Sequence, residues 1–188
     1  MIAARHAHRN GRHFNAAAPR AVIVGCGRSH RCDDQIGLLI ADLLSVEPPP
    51  NTTVVRSEAP GADLLTEVAG ADLVIIVDAA AARETVPPGR WRRIAVPRRD
   101  GRRLDVALQS LSGRRTSSSH LLGVGDALVI SRDLGLLPSE TWIYVVYAGS
   151  FGYGDELSGG VWESIREVAG RIQRDVREWM RLRSQRHA

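Results

Sequence analysis

Short, strongly hydrophobic runs recur along the chain, and each is bounded by polar residues, Gly or Pro. β-Branched residues dominate these runs, and their length of about five residues is typical of buried strands. The third run, LVIIV, is apolar throughout, as expected for a central strand that is covered on both faces. The predicted strands are Ala21 to Cys26, Thr52 to Arg56, Leu73 to Val77, Arg92 to Val96 and Trp142 to Val146.

Between the strands, apolar residues recur at spacings of three and four, which indicates helices with one buried face. These helices are predicted at Asp34 to Val46, Gly61 to Ala69, His120 to Leu134 and Ser158 to Arg183. Strands that alternate with helices favour a sheet covered on both sides. The expected fold class is therefore α/β, a three-layer α/β/α sandwich with a mostly parallel central sheet of about five strands.

The length of 188 residues and an apolar content of 44% suit one globular domain. The first twenty residues hold four Arg, three His and no acid, and they lack the apolar block of a secretory signal. We predict that residues 1–19 are a disordered extension, that residues 20–183 form one domain, and that the protein is cytoplasmic. No run of eighteen apolar residues occurs, so a membrane span is not expected.

All 25 basic residues are Arg, and the net charge is +4. The Arg residues are scattered and are not interleaved with aromatic residues, so we expect no nucleic-acid partner. Cys26 and Cys32 are too few for a disulfide framework, and their spacing does not match a zinc finger. Both are interpreted as packing residues.

Acidic residues follow two of the predicted strands. Asp33 and Asp34 come after the first strand, and Asp78 directly follows the third. The carboxyl ends of parallel strands share one edge of the sheet, where ligands bind. We expect Asp33 to cap the first helix, which leaves Asp34 to project into the cleft. Asp78 either caps a helical turn at Ala79 to Arg83 or joins Asp34 as a metal ligand.

His120 opens a predicted helix after a run of Ser residues. Only His30 and His120 fall inside the folded body, and a lone His is often a hydrogen-bonded structural residue. An imidazole beside two carboxylates would instead suit nickel, zinc or another borderline divalent ion.

The turn Gly25-Cys26-Gly27 offers a competing interpretation, a site for a nucleotide or a small phosphorylated substrate. His30 stands where the third Gly of the dinucleotide fingerprint would be, and two carboxylates next to the turn would repel a phosphate.

Several segments together resemble the hydrogenase maturation proteases. VIVGCGRSHRCDDQIG resembles their opening motif, ADLVIIVDAA their strand that ends in Asp-Ala, and SSSHLLGVGDALVISRDLGLLP their Ser-His-led helix. WIYVV and FGYGDELSGGV resemble their last strand and the entry to their final helix. The resemblance spans about residues 20–175 in the same order along the chain.

The resemblance implies an endopeptidase that removes the C-terminal extension of a nickel-iron hydrogenase large subunit after nickel insertion. It further implies that Asp34, Asp78 and His120 are the metal-recognising and catalytic residues. The partner would be the nickel-loaded precursor, which supplies the metal, with zinc or another divalent ion possible in its place. We expect a monomer. The alternative is a non-catalytic, chaperone-like or binding protein of the same fold.

At four positions the sequence departs from the family pattern. Arg28 stands where the family has Asn, His30 where it has an apolar residue, and Gln35 where Gly is frequent. Tyr147 follows the last strand, where an acid is often found. Arg28 and Tyr147 bear on substrate identity and catalysis more than on the fold.

Overall fold

The computed structural model describes residues 18–58, 68–97, 124–136 and 138–186. Most of the helix predicted at Gly61 to Ala69, the start of the helix predicted at His120, and most of the predicted extension at residues 1–19 lie outside these ranges. Ala18 and Pro19 are described, and their carbonyl oxygens both accept hydrogen bonds from the Asn51 side chain at 2.9 Å. None of the helices in the described ranges combines the length and apolar character that a bilayer span requires.

The five predicted strands form one sheet in the order β2-β1-β3-β5-β4. β1, β2, β3 and β5 are parallel, and β4 pairs with β5 in the antiparallel direction. The predicted sheet of about five mostly parallel strands is confirmed. The bounds are β1 Ala21–Cys26, β2 Thr52–Ser57, β3 Leu73–Ala81, β4 Trp91–Pro97 and β5 Glu140–Ala148.

Helices cover both faces of this sheet. One face packs against α1 (Ile36–Val46) and α3 (Gly159–Arg186), and the other packs against α2 (Val124–Asp133) through Leu128. Successive strand residues point to opposite faces, so each central strand contributes to both apolar layers. The three-layer α/β/α architecture is therefore confirmed.

β3 continues beyond its predicted end at Val77. It runs to Ala81 because β5 pairs with it along its whole length, from Leu73 opposite Glu140 to Ala81 opposite Ala148. Ala favours helices, but the ladder to a neighbouring strand outweighs that local preference. The proposed helical turn at Ala79 to Arg83 is wrong, and Asp78 does not cap a helix.

α1 crosses β1 at very close range where two glycines meet. A Cβ added at Gly37 would lie 2.2 Å from the Cys26 carbonyl oxygen and 2.4 Å from that of Val77. A Cβ at Gly25 would lie 2.0 Å from the Gly37 carbonyl oxygen. Because both partners are backbone atoms, a side chain at either position would push α1 away from the sheet.

Gly37→Ala should destabilise the protein by about 2–4 kcal/mol, since the helix must shift to admit one methyl group. Gly159→Ala is the matched control because nothing lies within 4 Å of a Cβ placed there. That control should be neutral or slightly stabilising, as Ala is the better helix former. Urea unfolding of the two variants measures the difference, and equal midpoints would contradict the close crossing.

Candidate functional site

Two of the predicted site residues lie at the carboxyl edge of the sheet. Asp34 is in a 3-10 helix, Cys32–Gln35, that links β1 to α1, and its side chain is 14% exposed. Asp78 is part-buried in β3, two residues beyond Ile76 on the face that α2 covers. The two carboxylates lie close enough for the charge of Asp34 to raise the pKa of Asp78. The structure thus brings Asp34 and Asp78 to the same edge of the sheet, and their role as metal ligands stays a prediction.

The pKa of Asp78 is raised to about 7, chiefly because burial penalises the charged form. The backbone N–H of Ala79 donates a hydrogen bond to Oδ1 at 2.9 Å and lowers the pKa, whereas the Asp34 carboxylate raises it and Arg28 lowers it. Asp78 therefore changes protonation state near neutral pH, and a cation bound there would favour its ionised form.

Arg28 already binds the first of these carboxylates. Its Nε donates to Asp34 Oδ2 at 2.8 Å, and its side chain is 42% exposed. Arg28, one of the four departures from the family pattern, thus contacts the predicted metal ligand Asp34 directly. It reduces the negative charge at this edge of the sheet.

Gly25 is paired with Val77 across β1 and β3. The next residue of each strand is Cys26 and Asp78, so the Cys26 side chain lies beside Asp78 on the same face of the sheet. Burial and the neighbouring Asp78 charge raise the pKa of its thiol well above the ordinary value. A buried neutral thiol is a poor nucleophile, and its predicted role in packing fits this environment.

Asp33 does not cap the first helix, contrary to the prediction. No side chain caps either the 3-10 helix or α1. Asp33 is fully buried, and its carboxylate accepts hydrogen bonds from the backbone N–H groups of Gly149 and Ser150, at 2.7 and 3.0 Å. The backbone N–H and hydroxyl of Ser158 also donate to it, both at 2.7 Å.

Asp33 consequently joins the loop after β1 to the loop after β5 and to the start of α3. The Ser158 carbonyl in turn accepts the first backbone bonds of α3, from Val161 and Trp162. Sequence reasoning missed this role because nothing near Asp33 along the chain indicates partners more than a hundred residues away. Of the two acids, Asp34 is the one that these loop contacts leave out, and its carboxylate pairs with Arg28 instead.

Two further departures from the family pattern bind the same loop after β5. His30 Nδ1 lies 2.7 Å from Asp155 Oδ1, and Gln35 Nε2 donates to the Asp155 carbonyl at 3.2 Å. Backbone bonds also link Gly154 to the 3-10 region. These contacts link the segment around Asp34 to the loop after β5 at the exposed surface.

The fourth departure, Tyr147, is buried in β5 with an exposure of 8%. The Arg92 guanidinium lies over its ring at 5.9 Å from the centroid. Tyr147 therefore acts as a packing residue of the sheet face that α2 covers.

His120 lies outside the described residues, so its position relative to the two carboxylates stays a prediction. Within the described ranges, no group of three or more His, Cys, Asp or Glu is arranged to hold a metal ion. Asp34 and Asp78 are two of the carboxylates at this edge of the sheet. α2, whose first described residue is Val124, packs on the face that also carries Asp78.

No protein-family model matches the sequence, and the curated protein sequences give no significant match. Solved structures do match. The hydrogenase maturating endopeptidase HybD from E. coli has a TM-score of 0.70 and 22% identity, over 85% of this chain and 93% of that one. The [NiFe] hydrogenase maturation protease HybD from Thermococcus kodakarensis has a TM-score of 0.61 and 19% identity, over 82% and 97%.

The [NiFe] hydrogenase maturation protease HycI from Thermococcus kodakarensis matches with a TM-score of 0.59 and 23% identity, over 85% of this chain and 93% of that one. These likenesses cover nearly the whole of each neighbour. The chain therefore has the fold of the hydrogenase maturation endopeptidases.

Proposed function

We propose that this protein is an endopeptidase that removes the C-terminal extension of a nickel-iron hydrogenase large subunit after nickel has been inserted. The observation that carries the proposal is the pair of carboxylates, Asp34 and Asp78, at the ligand-binding edge of a sheet with this fold. Its partner is the nickel-loaded precursor. The protein acts as a cytoplasmic monomer.

The nickel ion arrives as part of the substrate. Asp34 and Asp78 provide carboxylate oxygens and His120 an imidazole nitrogen, a donor set that suits nickel and equally zinc or another borderline divalent ion. Binding free energy then depends on the metal in the precursor, so cleavage waits until maturation is complete. The negative charge that Asp34 and the ionised Asp78 share supports this role.

Asp78 also has the properties of an acid–base group. Its pKa of about 7 keeps both protonation states populated near neutral pH, which is where general acid–base catalysis is most effective. We assign Asp78 the role of general base, in which its ionised carboxylate takes a proton from the attacking water and passes it to the leaving amine. This makes the enzyme an aspartate-type endopeptidase with metal-dependent recognition.

The proposal is tested by incubating the purified protein with a nickel-loaded large-subunit precursor and with the same precursor free of metal. Mass spectrometry should show loss of the C-terminal extension from the nickel-loaded form alone. A stable complex that is never cut would support the alternative, a non-catalytic binding protein. The Arg28–Asp34 ion pair favours that alternative, since it occupies one of the proposed ligands.

His120→Ala should lower the rate of precursor cleavage by about 100-fold or more, because it removes the nitrogen ligand of the proposed set. His30→Ala is the matched control, since His30 pairs with Asp155 at the exposed surface, where the two side chains are 78% and 73% exposed. The control should cleave at close to the wild-type rate. Normal cleavage by His120→Ala would remove that residue from the mechanism.

A further inference from the structure

Arg28 is held at the site by Asp34. The contact is an ion pair with 2.8 Å between Nε and Oδ2, made by an acid that is 14% exposed and a base that is 42% exposed. The guanidinium therefore faces water on one side and the carboxylate on the other. It can leave by rotating outward without disturbing the core.

The same guanidinium acts on both acids of the edge. It hydrogen-bonds to Asp34, and its charge also opposes the raised pKa of Asp78. A divalent ion that approached these carboxylates would compete with Arg28 for the Oδ2 lone pairs of Asp34. It would also be repelled by the positive charge a few ångströms away.

We propose that Arg28 is a specificity-determining residue, an internal cation that keeps free divalent ions off Asp34. The proposal rests on the metal-recognising role of Asp34 given above. Nickel that is already bound in the precursor arrives with the binding free energy of a protein–protein contact, and this free energy helps to displace the guanidinium. A free ion in solution lacks that contribution, so the enzyme discriminates between loaded precursor and dissolved metal.

The experiment is a calorimetric titration of the full-length protein with nickel sulfate at pH 7.5. Arg28→Gln should bind nickel about tenfold or more tightly than the wild type, because the competing charge is gone. Arg28→Lys keeps the charge and should resemble the wild type more closely. Adding Asp34→Asn to Arg28→Gln should abolish the gain, which locates the effect at this carboxylate.

Arg56→Gln is the matched control. Arg56 pairs with Asp42 at 3.0 Å, lies 3.9 Å from Glu58 and is 46% exposed, so the substitution removes the same charge from a surface ion pair that does not involve Asp34. Its nickel affinity should stay within about twofold of the wild type, since exposed ion pairs have small effects at a distance. An equal gain in Arg56→Gln would show a general effect of net charge and would overturn the proposal.

The proposal is also overturned if Arg28→Gln binds nickel no better than the wild type, including the case in which neither shows any binding. Thermal unfolding of each variant confirms that it is folded. The proposed endopeptidase activity is read separately from cleavage of nickel-loaded precursor by the wild type. If the wild type cleaves the precursor but Arg28→Gln binds nickel no more tightly, the proposed function stands and the inference about Arg28 fails. If Arg28→Gln binds nickel more tightly but the wild type does not cleave the precursor, the proposed function fails and the inference about Arg28 stands.

Discussion

Asp33→Ala should destabilise the protein by about 3–5 kcal/mol, the largest effect on stability that we expect from a single substitution at the site. Asp33 is fully buried, and its carboxylate accepts three backbone hydrogen bonds and one from the Ser158 hydroxyl. Truncation leaves those donors buried without an acceptor. It also releases the loop after β5 from the segment before α1.

Asp33→Asn tests the same point without a change in size. Its amide nitrogen would face N–H groups where an oxygen is needed, so this variant should also lose several kcal/mol, on the order of the loss in Asp33→Ala. Asp155→Ala is the control, because that side chain is 73% exposed and pairs with His30. It should change stability by less than about 1 kcal/mol.

Urea unfolding followed by circular dichroism gives the free energy of unfolding of all three variants. If both Asp33 variants unfold at the wild-type midpoint, the carboxylate does not join the two loops as the hydrogen bonds indicate. Precursor cleavage should fall in proportion to the folded fraction, because Asp33 itself is not assigned to the chemistry.

Asp78→Asn should lower the rate of precursor cleavage by about 1000-fold or more and yet leave the protein folded. The amide keeps the size of the side chain and an oxygen for the Ala79 N–H bond of 2.9 Å. It loses the anionic oxygen for the metal and the proton that Asp78 exchanges near neutral pH. The rate is measured on nickel-loaded precursor under single-turnover conditions.

The pH dependence of stability shows whether Asp78→Asn loses activity because the carboxylate is gone or because the fold is weakened. The folded pKa of Asp78, about 7, lies above the ordinary value of 3.8, so the folded state prefers the protonated form. This preference stabilises the protein at low pH, and the stabilisation is lost as the pH rises from about 4 to about 7. The Asn side chain of Asp78→Asn does not ionise, so the stability of this variant should fall less than that of the wild type as the pH rises.

At pH 8, Asp78→Asn should accordingly be more stable than the wild type, by an amount on the order of a few kcal/mol, whereas at pH 4 the two should be similar. Asp42→Asn is the control, because that residue is 45% exposed and pairs with Arg56 at the surface. Thermal unfolding across pH 4–8 makes the comparison. Loss of stability in Asp78→Asn at every pH would assign the residue to the fold.

The strands were predictable because each is a local apolar run, and all five occur where the runs predict them. The position of Asp34 and Asp78 at one edge also follows from sequence, since parallel strands align their carboxyl ends. The end of β3 was not predictable. Ala79 to Ala81 carry no β-branched residue, and only the pairing with β5 makes them a strand.

The sequence by itself determined the layers of the sandwich, its strands and the two acids that meet at the ligand edge, because these depend on patterns within about ten residues. The tertiary structure alone decided what each acid binds. Asp33 receives its partners from Gly149, Ser150 and Ser158, and Arg28 reaches Asp34 across a turn. The partners of Asp33 depend on where backbone groups more than a hundred residues away lie in space, and the Arg28–Asp34 pair depends on how the turn between them folds, neither of which local spacing encodes.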